Sequence, residues 1–146
     1  MSGIYYPNAE DIQALLAKLN ISDAPYVLGV RQQNKAKSIL GWLSATVLYF
    51  APSADTRVLV ATPTKLYVIN PNGHMAGSFA QLPKHYIEEI DWADCQPVQV
   101  EKTAEAYLVS LVRKGKRITW QLPLSDQRMP YNTTNADAFV QQCQAS

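Results

Sequence analysis

Arg57-Val58-Leu59-Val60-Ala61-Thr62-Pro63-Thr64-Lys65-Leu66-Tyr67-Val68-Ile69 is the stretch on which the fold turns. Two short runs rich in β-branched and aromatic residues flank a segment of turn-forming residues. That pattern predicts a hairpin, Arg57 to Ala61 against Leu66 to Ile69, joined across Thr62-Pro63-Thr64-Lys65.

The same texture continues downstream. Asn70-Pro71-Asn72-Gly73 turns the chain again before a third run, Met75 to Leu82. Tyr86 to Trp92 follows the break at Pro83 as a further strand, with a helix as the alternative because of its acidic residues. Val98 to Lys102 is a short strand. Tyr107 to Arg113 and Arg117 to Leu122 form the clearest hairpin, turned by Lys114-Gly115, with Ile118, Trp120 and Leu122 on one face. Residues 123–132, with two prolines, read as a loop. Thr134 and Asp137 then resemble a capping box, and Ala136, Phe139, Val140 and Cys143 give an apolar stripe at helical spacing over 134–144.

Upstream, Tyr26 to Arg31 is the first strand of a β core spanning 25–122. Before it, Asn8 caps a helix over 9–20 whose first turn holds Glu10 and Asp11, where carboxylates meet the positive end of the helix dipole. Ile12, Leu15, Leu16 and Leu19 supply its apolar stripe, and Asn20 stops it. Lys37 to Phe50 fits neither period: Leu40, Leu43, Val47 and Phe50 suit a helix, whereas Thr46 to Phe50 suits a buried strand, which is favoured. The expected order is helix, six to eight antiparallel strands, helix.

Bulk properties agree with one mainly β domain over 1–146. The chain has 47% hydrophobic and 17% charged residues, enough for an ordinary core and far from the composition of disorder. Thirteen Lys and Arg against twelve Asp and Glu leave a formal charge of +1, so no whole-molecule field draws the chain to nucleic acid. The N-terminus lacks a basic start and apolar run, and the longest apolar stretch, Ile39 to Pro52, falls short of the roughly 20 residues of a spanning helix. Cys95 and Cys143 are expected as free thiols of a cytoplasmic protein.

Val58 to Ile69 also resembles a pattern of bacterial pleckstrin-homology-like (PH-like) domains, in which a strand ending in Thr leads through a tight turn to a basic residue and a second apolar strand. Tyr86-Ile87-Glu88-Glu89-Ile90 is similar to the aromatic and I-x-x-I segment that follows there. The resemblance covers roughly residues 25 to 144, and the first helix is an addition seen in some relatives. It implies a bent, partly open antiparallel sheet of about seven strands, plugged at one open end by the C-terminal helix. It supplies no single function, because this superfold hosts many.

No motif for catalysis or metal binding stands out. His74 and His85 are the only neutral-pH bases, and neither sits in a nucleophile or metal-ligand spacing. A zinc site from His74, His85, Cys95 and Cys143 would draw ligands from two turns, a loop and a helix. Glu88, Glu89, Asp91 and Asp94 lack the glycine-containing loop of a calcium site and read as a solvated face.

The basic clusters carry more chemistry. Arg31, Lys35 and Lys37 lie between the first two strands, where the resemblance places phosphoinositide contacts, and the apolar run around Trp42 could anchor beside them. Arg113, Lys114, Lys116 and Arg117 surround a hairpin tip and form a secondary basic patch. The expectation is a non-catalytic interaction or assembly module without a cofactor, whose partner is a protein or a second copy of itself. Headgroup binding to anionic phospholipid at the inner membrane surface is the alternative, and a small enzyme of unknown class ranks third.

Overall fold

The computed structural model describes residues 7–31, 56–71, 82, 84–124 and 129–145, and structural statements below concern these residues. Helix α1, Ala9–Lys18, opens where expected: Asn8 Oδ1 accepts the backbone N–H of Asp11 at 2.8 Å. It ends two residues early, because Asn20 adopts a left-handed φ of 61° that unwinds the last turn. Among the described residues seven strands follow: β1 Tyr26–Arg31, β2 Thr56–Ala61, β3 Lys65–Ile69, β4 Ile87–Asp91, β5 Gln99–Lys102, β6 Ala106–Arg113 and β7 Lys116–Pro123. Helix α2, Tyr131–Ala145, closes the order.

The strands form one antiparallel sheet in the order β4-β3-β2-β1-β7-β6-β5. This is the expected PH-like architecture, mainly β, with the first strand at the middle of the sheet and an additional N-terminal helix. The β2–β3 hairpin forms as predicted. The Thr62 hydroxyl donates to the carbonyl of Lys65 and accepts from its N–H, each at 2.9 Å, which pins the turn.

Alternation along the strands divides the apolar residues between two cores. Val27, Leu59, Leu66, Val68, Val109, Leu111, Trp120 and Leu122 face the concave side, where Ala136, Phe139, Val140 and Cys143 of α2 plug the opening. Leu28, Val58, Val60 and Ile69 face the other way and bury Ile12, Leu15 and Leu16 of α1. The two helices therefore cover opposite faces. Gly29 lies where β1 passes between Leu59 and Leu122; a Cβ there would meet their methyl carbons at 2.9 and 3.0 Å.

Among the described residues, strands β1 and β7 pair at Val30↔Gln121 and Arg31↔Trp120. Continued in register, Leu28 would oppose Pro123, which has no N–H to give. The fully buried side chain of Asn132 fills that gap: its Oδ1 accepts the Leu28 N–H at 2.7 Å, and its Nδ2 donates to the carbonyls of Leu28 at 2.8 Å and Pro123 at 2.9 Å. One turn on, Asn135 Nδ2 donates to the Tyr26 carbonyl at 3.0 Å. Two amide side chains thus stand in for a missing strand partner.

Several boundaries differ from expectation. Helix α2 begins at Tyr131, inside the segment read as a loop, so Thr134 is a helical residue and no cap. The cause is the buried anchoring of Tyr131 and Asn132, with the Thr133 hydroxyl donating to the Leu124 carbonyl. The acidic segment near residue 88 is a strand flanked by single 3₁₀ turns, Lys84–Tyr86 and Trp92–Asp94. Of Met75 to Leu82 only Leu82 is described, buried and outside any strand, and Lys37 to Phe50 lies outside the described residues.

Candidate functional site

A bent sheet with helices on both faces offers a partner its loops, its hairpin tips and its two outermost strands. The loop candidate is represented by Arg31, exposed at the end of β1; Lys35, Lys37 and Trp42 lie outside the described residues, as does His74. Arg31 sits in register with Trp120, whose side chain is buried in the concave core.

The hairpin tip is not one patch of four cations. Arg113 Nη1 reaches Glu88 Oε2 on β4 at 3.1 Å, tying β6 to the far end of the sheet. Arg117 Nη1 folds back onto Gln99 Oε1 and the Ser110 hydroxyl, each at 3.2 Å. Alternation explains the division, since neighbouring residues of a strand point to opposite faces. Lys114 and Lys116 remain exposed at the turn.

The acidic run is divided in the same way. Glu88 takes Arg113, while Glu89 takes Lys65 at 2.7 Å, and this contact raises the Lys65 pKa above its ordinary value. Among the described residues no three His, Cys, Asp or Glu side chains gather as metal ligands would. His85 is exposed and packs against Tyr86, the ring centroids 4.2 Å apart and the planes tilted by 40°. Burial pushes the Cys143 thiol up to about 12, and burial also raises Cys95, against a smaller opposing pull from Arg113. Both thiols are protonated at neutral pH, which is the unreactive form.

The sheet's two outermost strands differ in cover. Asn70 N–H donates to the Tyr86 carbonyl at 2.9 Å and Trp92 N–H to the Thr64 carbonyl at 3.1 Å, so the even-numbered residues of β4 face β3. Its odd-numbered backbone groups point outward. That side is partly closed, because the Cys95 thiol donates to the Asp91 carbonyl, Gln96 N–H donates to the Val112 carbonyl at 2.9 Å, and Arg113 spans to Glu88.

Strand β5 is barer. Thr103 N–H donates to the Ala106 carbonyl at 2.9 Å, so by alternation Glu101 and Gln99 turn their backbone groups to β6. The N–H and C=O of Val100 and Lys102 then point away from the sheet. Gln99 and Lys102 are exposed, the Lys102 side chain at 53%. Beside them, Glu101 Oε1 is buried with no hydrogen-bond partner among the described residues.

Residues at the end of β5 are tethered to α2. Lys102 Nζ lies 3.8 Å from Asp137 Oδ1 and 5.0 Å above the Tyr107 ring, and the Tyr107 hydroxyl donates to the same carboxylate oxygen. That hydrogen bond, then burial, raises the Tyr107 pKa above its ordinary value. None of Gln99, Val100, Glu101 or Asn132 stands out in the sequence as a candidate site residue. A signal existed for β5: a short strand with Pro97 before it is characteristic of a sheet edge.

Neither the protein-family models nor the curated proteins compared with the chain gave a match. No helix among the described residues is long and apolar enough to cross a membrane.

Proposed function

We infer that the chain is a non-catalytic interaction and assembly module, related to the bacterial PH-like domains and acting in the cytoplasm. Its partner is a protein or a second copy of itself. One observation carries this reading: the sheet ends in β5, whose outward backbone groups meet no partner among the described residues. Main-chain groups of this kind are the means by which open sheets take up an additional strand.

Light scattering on the purified chain across a wide concentration range tests the assembly arm. A mass above that of the 146-residue monomer is expected, rising with concentration. A monomer throughout would leave assembly without support and turn attention to other proteins or to lipid. For the lipid alternative, Arg31 is the described member of Arg31, Lys35, Lys37 and Trp42. Sedimentation with phosphatidylcholine vesicles, with and without phosphatidylglycerol, reads it directly, and equal pelleting in the two cases disposes of headgroup recognition.

A further inference from the structure

The outer edge of β5 is self-complementary, and we propose that two copies of the chain pair through it, antiparallel, with Val100 on the two-fold axis. The proposal rests on the assembly reading above and specifies its surface and geometry.

Backbone alternation sets the available registers. With Val100 and Lys102 turned outward, hydrogen bonds to a second antiparallel β5 can form with either Val100 or Glu101 at the symmetry axis. If Glu101 lies on the axis, it faces its own copy and two carboxylates stand directly opposite. Like charges in that position are unfavourable. If Val100 lies on the axis, Gln99 of each copy stands opposite Glu101 of the other, on the same face of the sheet, and the arrangement occurs twice.

The side chains match this second register. Gln99 Oε1 already accepts from Arg117, which leaves the Gln99 amide N–H groups as donors. The Glu101 carboxylate is the acceptor on the same face, and its Oε1 has no hydrogen-bond partner among the described residues. Donor thus meets acceptor across the axis, and again at the symmetric position. Lys102 is held to one side by Asp137 and places no second cation at the axis. The four residues of β5 make a contact well below the roughly 1,600 Å² of a standard interface, so the dissociation constant should be micromolar or weaker.

Sedimentation equilibrium on wild type, Lys102→Pro and Gln99→Glu tests the surface. The Lys102 N–H serves no bond to β6, so proline there removes an outward donor while the internal ladder stays; circular dichroism checks that the fold is kept. Wild type should dimerise with concentration, Lys102→Pro should stay monomeric, and Gln99→Glu should weaken association about tenfold by opposing two pairs of carboxylates. The register is read by oxidation in a Cys95→Ser background: Gln99→Cys and Glu101→Cys should crosslink when mixed and not alone. Crosslinking of Glu101→Cys by itself overturns the register. Wild-type association that persists unchanged in Lys102→Pro and Gln99→Glu overturns the β5 contact while leaving assembly through another surface standing. A wild type that stays monomeric ends both.

Discussion

Asn132 holds the architecture at one point, because three buried backbone groups depend on its single amide. Asn132→Ala removes the partners of the Leu28 N–H and C=O and of the Pro123 carbonyl together. The expected loss is roughly 2 to 4 kcal/mol, read by urea denaturation with an unchanged slope. Asn132→Asp should cost at least as much, since a carboxylate has no N–H for the two carbonyls. The sequence hid this role for a physical reason. An Asn near two prolines has the composition of a loop, and only its position four residues before Ala136, on the buried stripe, marks it as part of the helix. The β5 residues Gln99 and Glu101 were hidden similarly, since a polar residue on an edge strand looks like any other solvated side chain.

At the scale of elements, strands and hairpins were legible because their signals are local. The tightest turn shows how the physics works. Lys114 has φ 53° and Gly115 φ 79°, so both central residues of the β6–β7 turn are left-handed, as in the turn that matches strand twist. Glycine takes this conformation freely, whereas lysine is strained in it. Lys114→Asn is therefore expected to stabilise the protein by about 0.5 kcal/mol and Gly115→Ala to destabilise it by about 1 kcal/mol, measured as shifts in Tm. A Cβ at Gly115 meets nothing within 4 Å among the described residues, so the second cost is conformational. The start of α2 was not legible, because it is set by the burial of Tyr131 and Asn132 against distant strands.

Across the whole molecule, the described groups with resolved pKa shifts move in one direction. Cys143, Cys95, Tyr107 and Lys65 all hold their protons more tightly in the folded chain than in ordinary surroundings. Above the ordinary thiol value of 9.0 the unfolded chain begins to release protons that the folded chain keeps, so stability falls as pH rises; below it the full contribution is present. The largest single part is Cys143, between pH 9.0 and about 12, with an upper bound of about 4 kcal/mol across that window. Urea midpoints at about pH 7, 9 and 10.5 should decline over the last interval, and Cys143→Ala should flatten the decline although its baseline stability is lower. The global arrangement was legible in outline: two amphipathic helices and short alternating strands require a sheet with something to cover on each side. Which helix takes which face follows from strand parity, visible only once the register is known.

The amide that completes β1 comes from a residue 104 positions later in the chain. During synthesis the first strand can pair with the second as soon as both have emerged, yet both the N–H and the C=O of Leu28 wait for Asn132. A nascent chain stalled before α2 is thus a half-laced garment, its β1–β7 seam held, among the described residues, at Val30 and Arg31, and such a chain should stay open to proteases until α2 has emerged.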